Sequence, residues 1–314
     1  MRTAFLFPGQ GAQVVGMGRD IAEAFPDAAD VFKKANDIVG FELSKICFEG
    51  PAEQLNMTTI SQPAIFVTSA AILEVLRTNP STRALRPDIA AGLSLGEYTA
   101  VYAAELISFE DALTLVQKRG HAMQAAADAT EGAMVSIIGL DEAKVRQLCA
   151  EASHGQVLAP VNFNCPGQIA ISGSKPACKR AVELASKYDA IKAVPLEVAG
   201  AFHTQMMATA ADTLREALSV CQIAEPAHVK VIANITANYY QTADKIAEGL
   251  TKQLTSPILW QKCMEKLIAD GVQDFYEIGP GRVLTGLMKR INRKKKVVNV
   301  SNLQAINELL HVQV

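Results

Sequence analysis

Short apolar runs alternate with helical patterns in the first part of the chain. Runs of strand length occupy residues 3–7 and 88–91, and each stops at a glycine-containing turn. Apolar residues recur at helical spacing over residues 17–38 and 61–78. Because strands alternate with helices, this order predicts an α/β domain with a mainly parallel sheet and a ligand site at the carboxyl ends of the strands.

The middle of the chain predicts a different unit. Its pattern is strand, helix, strand, strand, helix and strand, over residues 132–140, 141–152, 157–164, 168–172, 175–188 and 191–198. This βαββαβ order is that of a ferredoxin-like domain. We therefore expect a small ferredoxin-like domain at residues 128–197, inserted into a large domain formed by residues 1–127 and 198–314.

The α/β pattern resumes after the insertion. Helices are predicted at residues 204–220 and 246–254, and strands at residues 229–235 and 274–278. These elements extend the predicted parallel sheet.

Composition narrows the function classes. With 314 residues, 49% of them hydrophobic and 20% charged, the chain has a globular composition, and its formal net charge of −2 gives no long-range attraction to nucleic acid or an anionic membrane. The six cysteines form no C-x-x-C pair, so we predict reduced thiols and no metal site. The apolar start of the chain turns polar at Pro8, too early for a secretion signal. We expect no uncharged run of the ~20 residues needed to span a bilayer. We therefore expect a soluble protein without a membrane-spanning segment.

Residues 92–96, Gly-Leu-Ser-Leu-Gly, match the G-x-S-x-G pattern of a nucleophile elbow. In such an elbow, a sharp turn between a strand and a helix projects the serine hydroxyl above the sheet. A strand pattern precedes the motif and a helical pattern follows it. Ser94 is therefore a candidate nucleophile, and the alternative is an ordinary serine that caps a helix.

A serine nucleophile needs a base within hydrogen-bond reach. His203 follows a strand pattern and precedes a helix, so we expect it at the same rim of the sheet as Ser94. The other histidines lie in the tail, in a turn of the small domain, before a strand and on a helix: His311, His154, His228 and His121. Elimination favours His203 as the base, against the alternative of a purely structural histidine.

Arg119 lies on a helical stripe with the apolar residues Ala112, Leu115 and Met123. A guanidinium that faces the protein interior needs an anion to balance its charge. Two alternatives stay open, an internal ion pair or a substrate carboxylate bound in a bidentate manner.

The glycine-rich segment at residues 8–13 follows a strand, like a dinucleotide-binding loop. The pattern fails because Val14 stands where the third glycine is required. We interpret the segment instead as a loop that points the N–H group of Gln10 at the rim beside Ser94. With the N–H group of Leu95, it would form a two-donor oxyanion hole.

Six motifs follow one another along nearly the whole chain: FPGQGAQ (residues 7–13), GLSLGEY (92–98), QKRG (117–120), NxNxPGQ (162–168), GAFH (200–203) and EIGPG (277–281). In this order they resemble the malonyl-CoA:acyl carrier protein transacylase family of fatty acid and polyketide synthesis. The resemblance implies a large α/β-hydrolase-like domain with a ferredoxin-like insertion, in agreement with the element pattern.

The resemblance also implies a ping-pong reaction. Malonyl would pass from malonyl-CoA to the phosphopantetheine thiol of holo acyl carrier protein through a malonyl ester of Ser94, with His203 as the base. Arg119 matches the carboxylate-binding arginine of the family, and Gln253 matches a glutamine that helps to orient the histidine. No cofactor is implied. Stand-alone members are usually monomers, and the compartment would be a bacterial cytoplasm or a plastid stroma.

Four further positions are compared with the family. Phe202, beside the histidine, goes with malonyl in related acyltransferases because it excludes an α-methyl group. Leu93 departs from the family, which more often has histidine there, and this bears on the polarity of the elbow and on leakage to hydrolysis. Asn162 and Asn164 match positions that face the cleft, without an assigned role.

Other interpretations remain at this point. A serine esterase or thioesterase would use the same elbow to transfer the acyl group to water, and a catalytically silent subunit would only bind carrier protein. The run at residues 289–296 has six basic residues in eight, and it would either dock an acidic carrier protein or form a solvated helix end. It has no interleaved aromatic residues, so it gives little support for nucleic-acid binding.

Overall fold

The protein contains two β-sheets with helices packed against them in a computed structural model that describes residues 2–312, with no side chains described at residues 311–312. In chain order the strands are β1 (Arg2–Phe7), β2 (Ile89–Gly92), β3 (Gly132–Ile138), β4 (Leu158–Cys165), β5 (Gln168–Ser174), β6 (Lys192–Pro195), β7 (Lys230–Val231), β8 (Val272–Ile278) and β9 (Val297–Val300).

The helices are also numbered in chain order. They are α1 (Arg19–Ala24), α2 (Pro26–Val39), α3 (Leu43–Glu49), α4 (Ala52–Asn56), α5 (Thr58–Thr78), α6 (Gly96–Ala103), α7 (Phe109–Asp128), α8 (Glu142–Ser153), α9 (Lys175–Leu184), α10 (Ala208–Ser219), α11 (Ala243–Gln253), α12 (Trp260–Ala269), α13 (Val283–Ile291) and α14 (Leu303–Val312). Short 3-10 helices cover Ala185–Tyr188 and Gln205–Met207.

The larger sheet is parallel, with strand order β7-β2-β1-β8-β9. Strand β2 and the last four residues of β1 are apolar and buried, as expected of strands covered by helices on both faces. Phe7 at the end of β1 lies opposite Gly92 at the end of β2. The loops after both strands therefore leave the sheet side by side, and the predicted α/β fold class is confirmed.

The smaller sheet is antiparallel, with strand order β4-β5-β3-β6. With α8 and α9 between its strands, this is the predicted βαββαβ arrangement. The sheet runs from Gly132 to Pro195, inside the interval predicted for the small domain. The domain limits themselves stay a prediction.

Helix α5 is largely buried and packs against α2 and α7. Residues 54–73 carry no charge, so our expectation that the chain has no uncharged run of membrane-spanning length is wrong. Among the described residues, Thr58–Thr78 is the one helix long and apolar enough to cross a membrane, but 83% of the apolar window lies inside the protein. Its length and composition are those of a central core helix.

Some predicted elements are shorter than the sequence suggested. The helix expected at residues 17–38 is broken into α1 and α2, because Pro26 forces Phe25 into an extended conformation with φ −127° and ψ 117°. The strand expected at residues 229–235 is limited to β7. The chain leaves the sheet there because the N–H group of Asn234 bonds a buried carboxylate rather than a neighbouring strand. Strand β9 and helices α3, α4, α12 and α14 were not predicted.

We expect Ile65→Ala to lower the free energy of unfolding by about 2–5 kcal/mol, because Ile65 on α5 is fully buried and its loss leaves a cavity. Urea unfolding followed by circular dichroism measures this change. Ile191→Ala is the matched control, since Ile191 is 74% exposed and its truncation should change stability by less than about 0.5 kcal/mol. Equal losses in the two variants would contradict the central position of α5.

Candidate active site

Ser94 lies in the turn between β2 and α6, with a backbone φ of 52°. A Cβ atom on Gly92 would lie 1.8 Å from the carbonyl carbon of Gly96, and one on Gly96 would lie 2.1 Å from the carbonyl oxygen of Phe7. Glycine is therefore required on both sides of the serine. Leu95 rather than Ser94 occupies the N-cap position of α6, without a side-chain cap. The turn thus has the geometry of a nucleophile elbow.

The hydroxyl of Ser94 lies 3.0 Å from Nε2 of His203. On its other side, Nδ1 of His203 lies 2.7 Å from the carbonyl oxygen of Gln253. Because a carbonyl only accepts hydrogen bonds, Nδ1 carries the proton, and the neutral ring presents a lone pair at Nε2 to the hydroxyl. His203 therefore has the position and the tautomer of a general base for Ser94.

His203 is held in its neutral form by its surroundings. Burial and, to a smaller extent, the positive charge of Arg119 together lower the pKa of His203 to about 4, against the opposing effect of the bond to Gln253. His203 also has a positive φ of 62°, so both members of the pair have uncommon backbone conformations. At neutral pH the imidazole is ready to accept a proton.

Arg119 is almost completely buried on α7, as its helical stripe predicted. Its Nη2 donates to Ser94 Oγ and to Gln253 Oε1, both at 3.0 Å, and its Nη1 donates to Gln62 Oε1 at 2.6 Å. These bonds use three of the five N–H groups, and the buried Nε has no hydrogen-bond partner in the described part of the chain.

A direct ion pair was the alternative reason for an inward Arg119. Within residues 2–312 no carboxylate lies within salt-bridge distance of its guanidinium. Amide and hydroxyl oxygens surround the charge instead. The two remaining N–H groups, on Nε and Nη1, are suited to a carboxylate that enters with a substrate.

Gln253 is fully buried and forms hydrogen bonds with Ser94, His203 and Arg119. Its side-chain nitrogen donates to the carbonyl oxygen of Ser94 at 3.0 Å and to Glu97 at 2.5 Å. Its side-chain oxygen faces Arg119, and its main-chain oxygen faces His203. The group that orients the histidine is thus the backbone of Gln253, while the side chain bonds the arginine and the elbow.

The sequence analysis did not find Asn234 and Glu97, nor Gln62, which accepts from Arg119. The side chain of Asn234 accepts from the N–H group of Ser94 and donates to the carbonyl oxygen of Gly92, both at 2.7 Å, so it fixes the elbow. Glu97 is a fully buried carboxylate below the elbow. Its charge within an apolar helical pattern was a usable signal, whereas Asn234 lies 140 residues from Ser94 without any local pattern.

A cavity of about 390 Å³ opens above Ser94 and His203. Its walls include Gln10, Leu93, Asn162 and Phe202. The N–H groups of Gln10 and Leu95 donate to no acceptor within residues 2–312. The buried Oδ1 of Asn162 likewise has no partner in this part of the protein. Arg119 and Gln253 lie behind the cavity rather than on its surface.

No group of three or more His, Cys, Asp or Glu side chains within the described residues is placed to hold a metal ion. The chemistry available at the cavity is therefore that of a serine, a histidine, a guanidinium and backbone donors.

Comparison with known proteins places this geometry in a family. Residues 4–307 match the family model of the acyl transferase domain. The chain belongs to this family.

Relatives within the family carry a narrower name. The malonyl CoA-acyl carrier protein transacylase of Bacillus subtilis (strain 168) is 44% identical over 97% of this chain and 95% of its own length. The protein of the same name from Escherichia coli (strain K12) is 41% identical over 97% of this chain and 96% of its own length. A solved malonyl-transacylase in complex with its type II PKS acyl-carrier protein superposes with a TM-score of 0.95 at 38% identity, covering 99% of this chain and 100% of that chain. The resemblance inferred from the six motifs is confirmed.

We expect the reactivity of Ser94 toward an uncharged fluorophosphonate to be constant at neutral pH and to fall only below about pH 5, because the pKa of His203 is about 4. In Arg119→Met the acid limb should move to higher pH, since one cause of the lowered pKa is removed. The rate of labelling against pH, followed by intact mass, measures both profiles.

Ser94→Ala is the control for labelling elsewhere in the chain, and circular dichroism at each pH checks that the protein stays folded. An acid limb near pH 6.5 in the parent, the ordinary value for histidine, would contradict this account of the base.

Proposed function

We propose that this protein transfers the malonyl group from malonyl-CoA to the phosphopantetheine thiol of acyl carrier protein, through a malonyl ester of Ser94. The observation that carries the proposal is the position of Ser94 Oγ, 3.0 Å from the base nitrogen of His203 and 3.0 Å from the guanidinium of Arg119. His203 can accept the proton of the hydroxyl and so activate it for attack. Arg119 is suited to bind the carboxylate that distinguishes malonyl from acetyl.

In the first half-reaction, Nε2 of His203 takes the hydroxyl proton while Ser94 Oγ attacks the thioester carbonyl. The N–H groups of Gln10 and Leu95 are the donors proposed for the oxyanion of the tetrahedral intermediate. Collapse of this intermediate breaks the C–S bond, and His203 returns the proton to the leaving thiolate of CoA. The products are malonyl-Ser94 and CoA.

In the second half-reaction, the pantetheine thiol of acyl carrier protein occupies the place of CoA. His203 takes the thiol proton, and the sulfur attacks the ester carbonyl of malonyl-Ser94. Collapse breaks the ester C–O bond, and the proton returns to Ser94 Oγ. The two half-reactions are chemically the same step in opposite directions, so one base serves both.

Selectivity for malonyl follows from Arg119 and Phe202. The guanidinium lies in a dry site, where an acyl group without a carboxylate would leave its free donors unpaired. Phe202 is buried beside the histidine and forms part of the cavity wall, so it limits the room for a substituent on the α carbon. These two contacts favour malonyl over acetyl and over methylmalonyl.

We also propose that the protein acts as a soluble monomer without a cofactor, in a bacterial cytoplasm or a plastid stroma. The bacterial sources of the relatives favour the first compartment. The chemistry above needs no group beyond the side chains and backbone of the chain.

The test is the intact mass of the protein after brief incubation with malonyl-CoA. We expect one malonyl group on the parent and on Ser81→Ala, which alters an exposed serine, and none on Ser94→Ala. Arg119→Met should slow malonylation by at least about 30-fold, the loss expected when one partner of a desolvated charge pair is removed, without slowing acetylation from acetyl-CoA.

The other outcomes identify the alternatives. Release of free malonate without transfer to holo acyl carrier protein would identify a hydrolase. Absence of any reaction would identify a silent binding subunit.

We further propose that the basic run at residues 289–296 contributes to docking of the acidic carrier protein. Two of its side chains are already used within the fold, since Arg290 donates to Gln168 and Lys295 donates to the carbonyl oxygen of Val272. The other four, Lys289, Arg293, Lys294 and Lys296, are exposed. The basic run begins in the last turn of α13, where Arg290 donates to the carbonyl oxygen of Pro166 in the turn between β4 and β5. Strand β4 also carries Asn162, which forms part of the cavity wall.

We expect Arg293→Glu/Lys294→Glu to lower the association rate with holo acyl carrier protein and to weaken its dependence on salt, leaving malonylation by malonyl-CoA unchanged. Stopped-flow transfer at several ionic strengths measures this. Arg83→Glu/Arg86→Glu makes the same charge change in the exposed segment before β2, at the opposite edge of the sheet. If both variants behave alike, the run is a solvated helix end.

A further inference from the structure

Glu97 is a buried acid that the proposed reaction does not use. It lies on the first turn of α6, directly below the elbow, with no exposed surface. Its carboxylate accepts from the hydroxyl of Tyr240 at 2.5 Å, from the side-chain nitrogen of Gln253 at 2.5 Å and from the N–H group of Asn234 at 3.3 Å. All its partners are buried with it, so a substrate in the cavity does not touch it.

Glu97 and Arg119 are connected through a single amide. Gln253 donates to Glu97 with its nitrogen and accepts from Arg119 with its oxygen. Burial lowers the pKa of Arg119, and the charge of Glu97 is among the effects that oppose this lowering. Burial raises the pKa of Glu97 to about 7, and the charge of Arg119 is among the effects that oppose this rise. The two groups thus stabilise each other's charge without being in contact.

The spacing between them has a chemical consequence. A carboxylate in direct contact would occupy the guanidinium donors in a bidentate pair and would compete with the carboxylate of a substrate. With no counter-charge at all, a buried guanidinium would cost several kcal/mol. A counter-charge held one amide away lowers that cost and leaves two of the five N–H groups of the guanidinium without an acceptor among the described residues.

The amide is held in one orientation by its three neighbours. If the side chain of Gln253 turned over, its oxygen would face the carbonyl of Ser94 and the carboxylate of Glu97, and its nitrogen would face Arg119. Each of these contacts would pair like with like. Glu97 thus also fixes the face of Gln253 that meets the arginine.

We propose that Glu97 is a positioning residue that acts through Gln253 as the separated counter-charge of Arg119, so that the guanidinium stays charged, oriented and open to the substrate carboxylate. This inference rests on the proposed function, since it explains how the same site selects malonyl.

The experiment compares kcat/KM for malonyl-CoA and for acetyl-CoA at pH 8, where Glu97 is mostly ionised. Glu97→Gln keeps the shape of the side chain but removes the charge and no longer specifies the orientation of Gln253. We expect its malonyl-to-acetyl ratio to fall by about 10-fold or more, the effect of losing one hydrogen bond to a charged group, mainly through KM for malonyl-CoA. Loss of folded protein would lower the apparent kcat/KM equally for both substrates and would leave the malonyl-to-acetyl ratio unchanged.

Gln253→Ala tests the role of the amide between the two charges, because its removal lets Glu97 and Arg119 approach each other directly. Its ratio should also fall, and it should partly recover in Glu97→Gln/Gln253→Ala, where the competing carboxylate is absent. The main-chain oxygen that faces His203 is kept in all these variants, so acetyl transfer reports on the base.

Glu277→Gln is the matched control. Glu277 is equally buried, but it bonds Leu284, Thr285 and Asn299 at the start of α13 and touches no group of the site. Glu277→Gln should lower the free energy of unfolding but keep the malonyl-to-acetyl ratio of the parent protein.

If Glu97→Gln does not fold, Tyr240→Phe, which removes one donor from the carboxylate, replaces it and should lower the ratio by about 2–3-fold, a smaller hydrogen-bond loss. A parental ratio in the folded Glu97 variant, or in its replacement, would overturn the inference. Failure of the parent itself to accept malonyl would instead overturn the proposed function.

Discussion

A positive charge kept dry beside the nucleophile is the constraint on which the rest of the site depends. The guanidinium of Arg119 is buried, so each donor it does not offer to a ligand must be bonded by the protein. Gln62 of α5 and Gln253 of α11 provide this, and the long apolar helices α5 and α7 keep water out around them. The amides stabilise the charge without neutralising it.

The same constraint accounts for the unusual partner of the histidine. A carboxylate at Nδ1 of His203 would place a negative charge next to Arg119 and would raise the pKa of the imidazole. A main-chain carbonyl fixes the tautomer and the ring orientation equally well without adding a negative charge, and its raising effect on the imidazole pKa is outweighed by burial and Arg119. The acid of the site, Glu97, lies instead on the far side of Gln253, where it supports the arginine and leaves the base neutral.

Sequence patterns were informative wherever the physical cause is local. Buried parallel strands read as apolar runs, the elbow needs glycines at fixed spacing, and an arginine on an apolar stripe must face inward; each of these signals lies within a few residues. Asn234, Gln253 and Glu97 meet only because separate elements fold onto one another, with 156 residues between Glu97 and Gln253. No periodicity records such contacts, and the resemblance to a family supplied Gln253 where the pattern could not. The helix at residues 17–38 failed for a local reason that was visible, the proline at its centre.

The antiparallel sheet interrupts the chain between the two residues that share a proton. Ser94 precedes it and His203 follows it, while Phe163 of β4 donates to the carbonyl oxygen of Ile258, far beyond both. The hydrogen bond between serine and histidine is therefore a contact of high sequence separation, closed across a folded insertion. Contacts of high sequence separation form later in folding than local ones. The larger sheet depends on contacts of still greater separation, such as the pairing of Ala4 with Phe275, so the reactivity of the serine should return together with that sheet rather than with the helices.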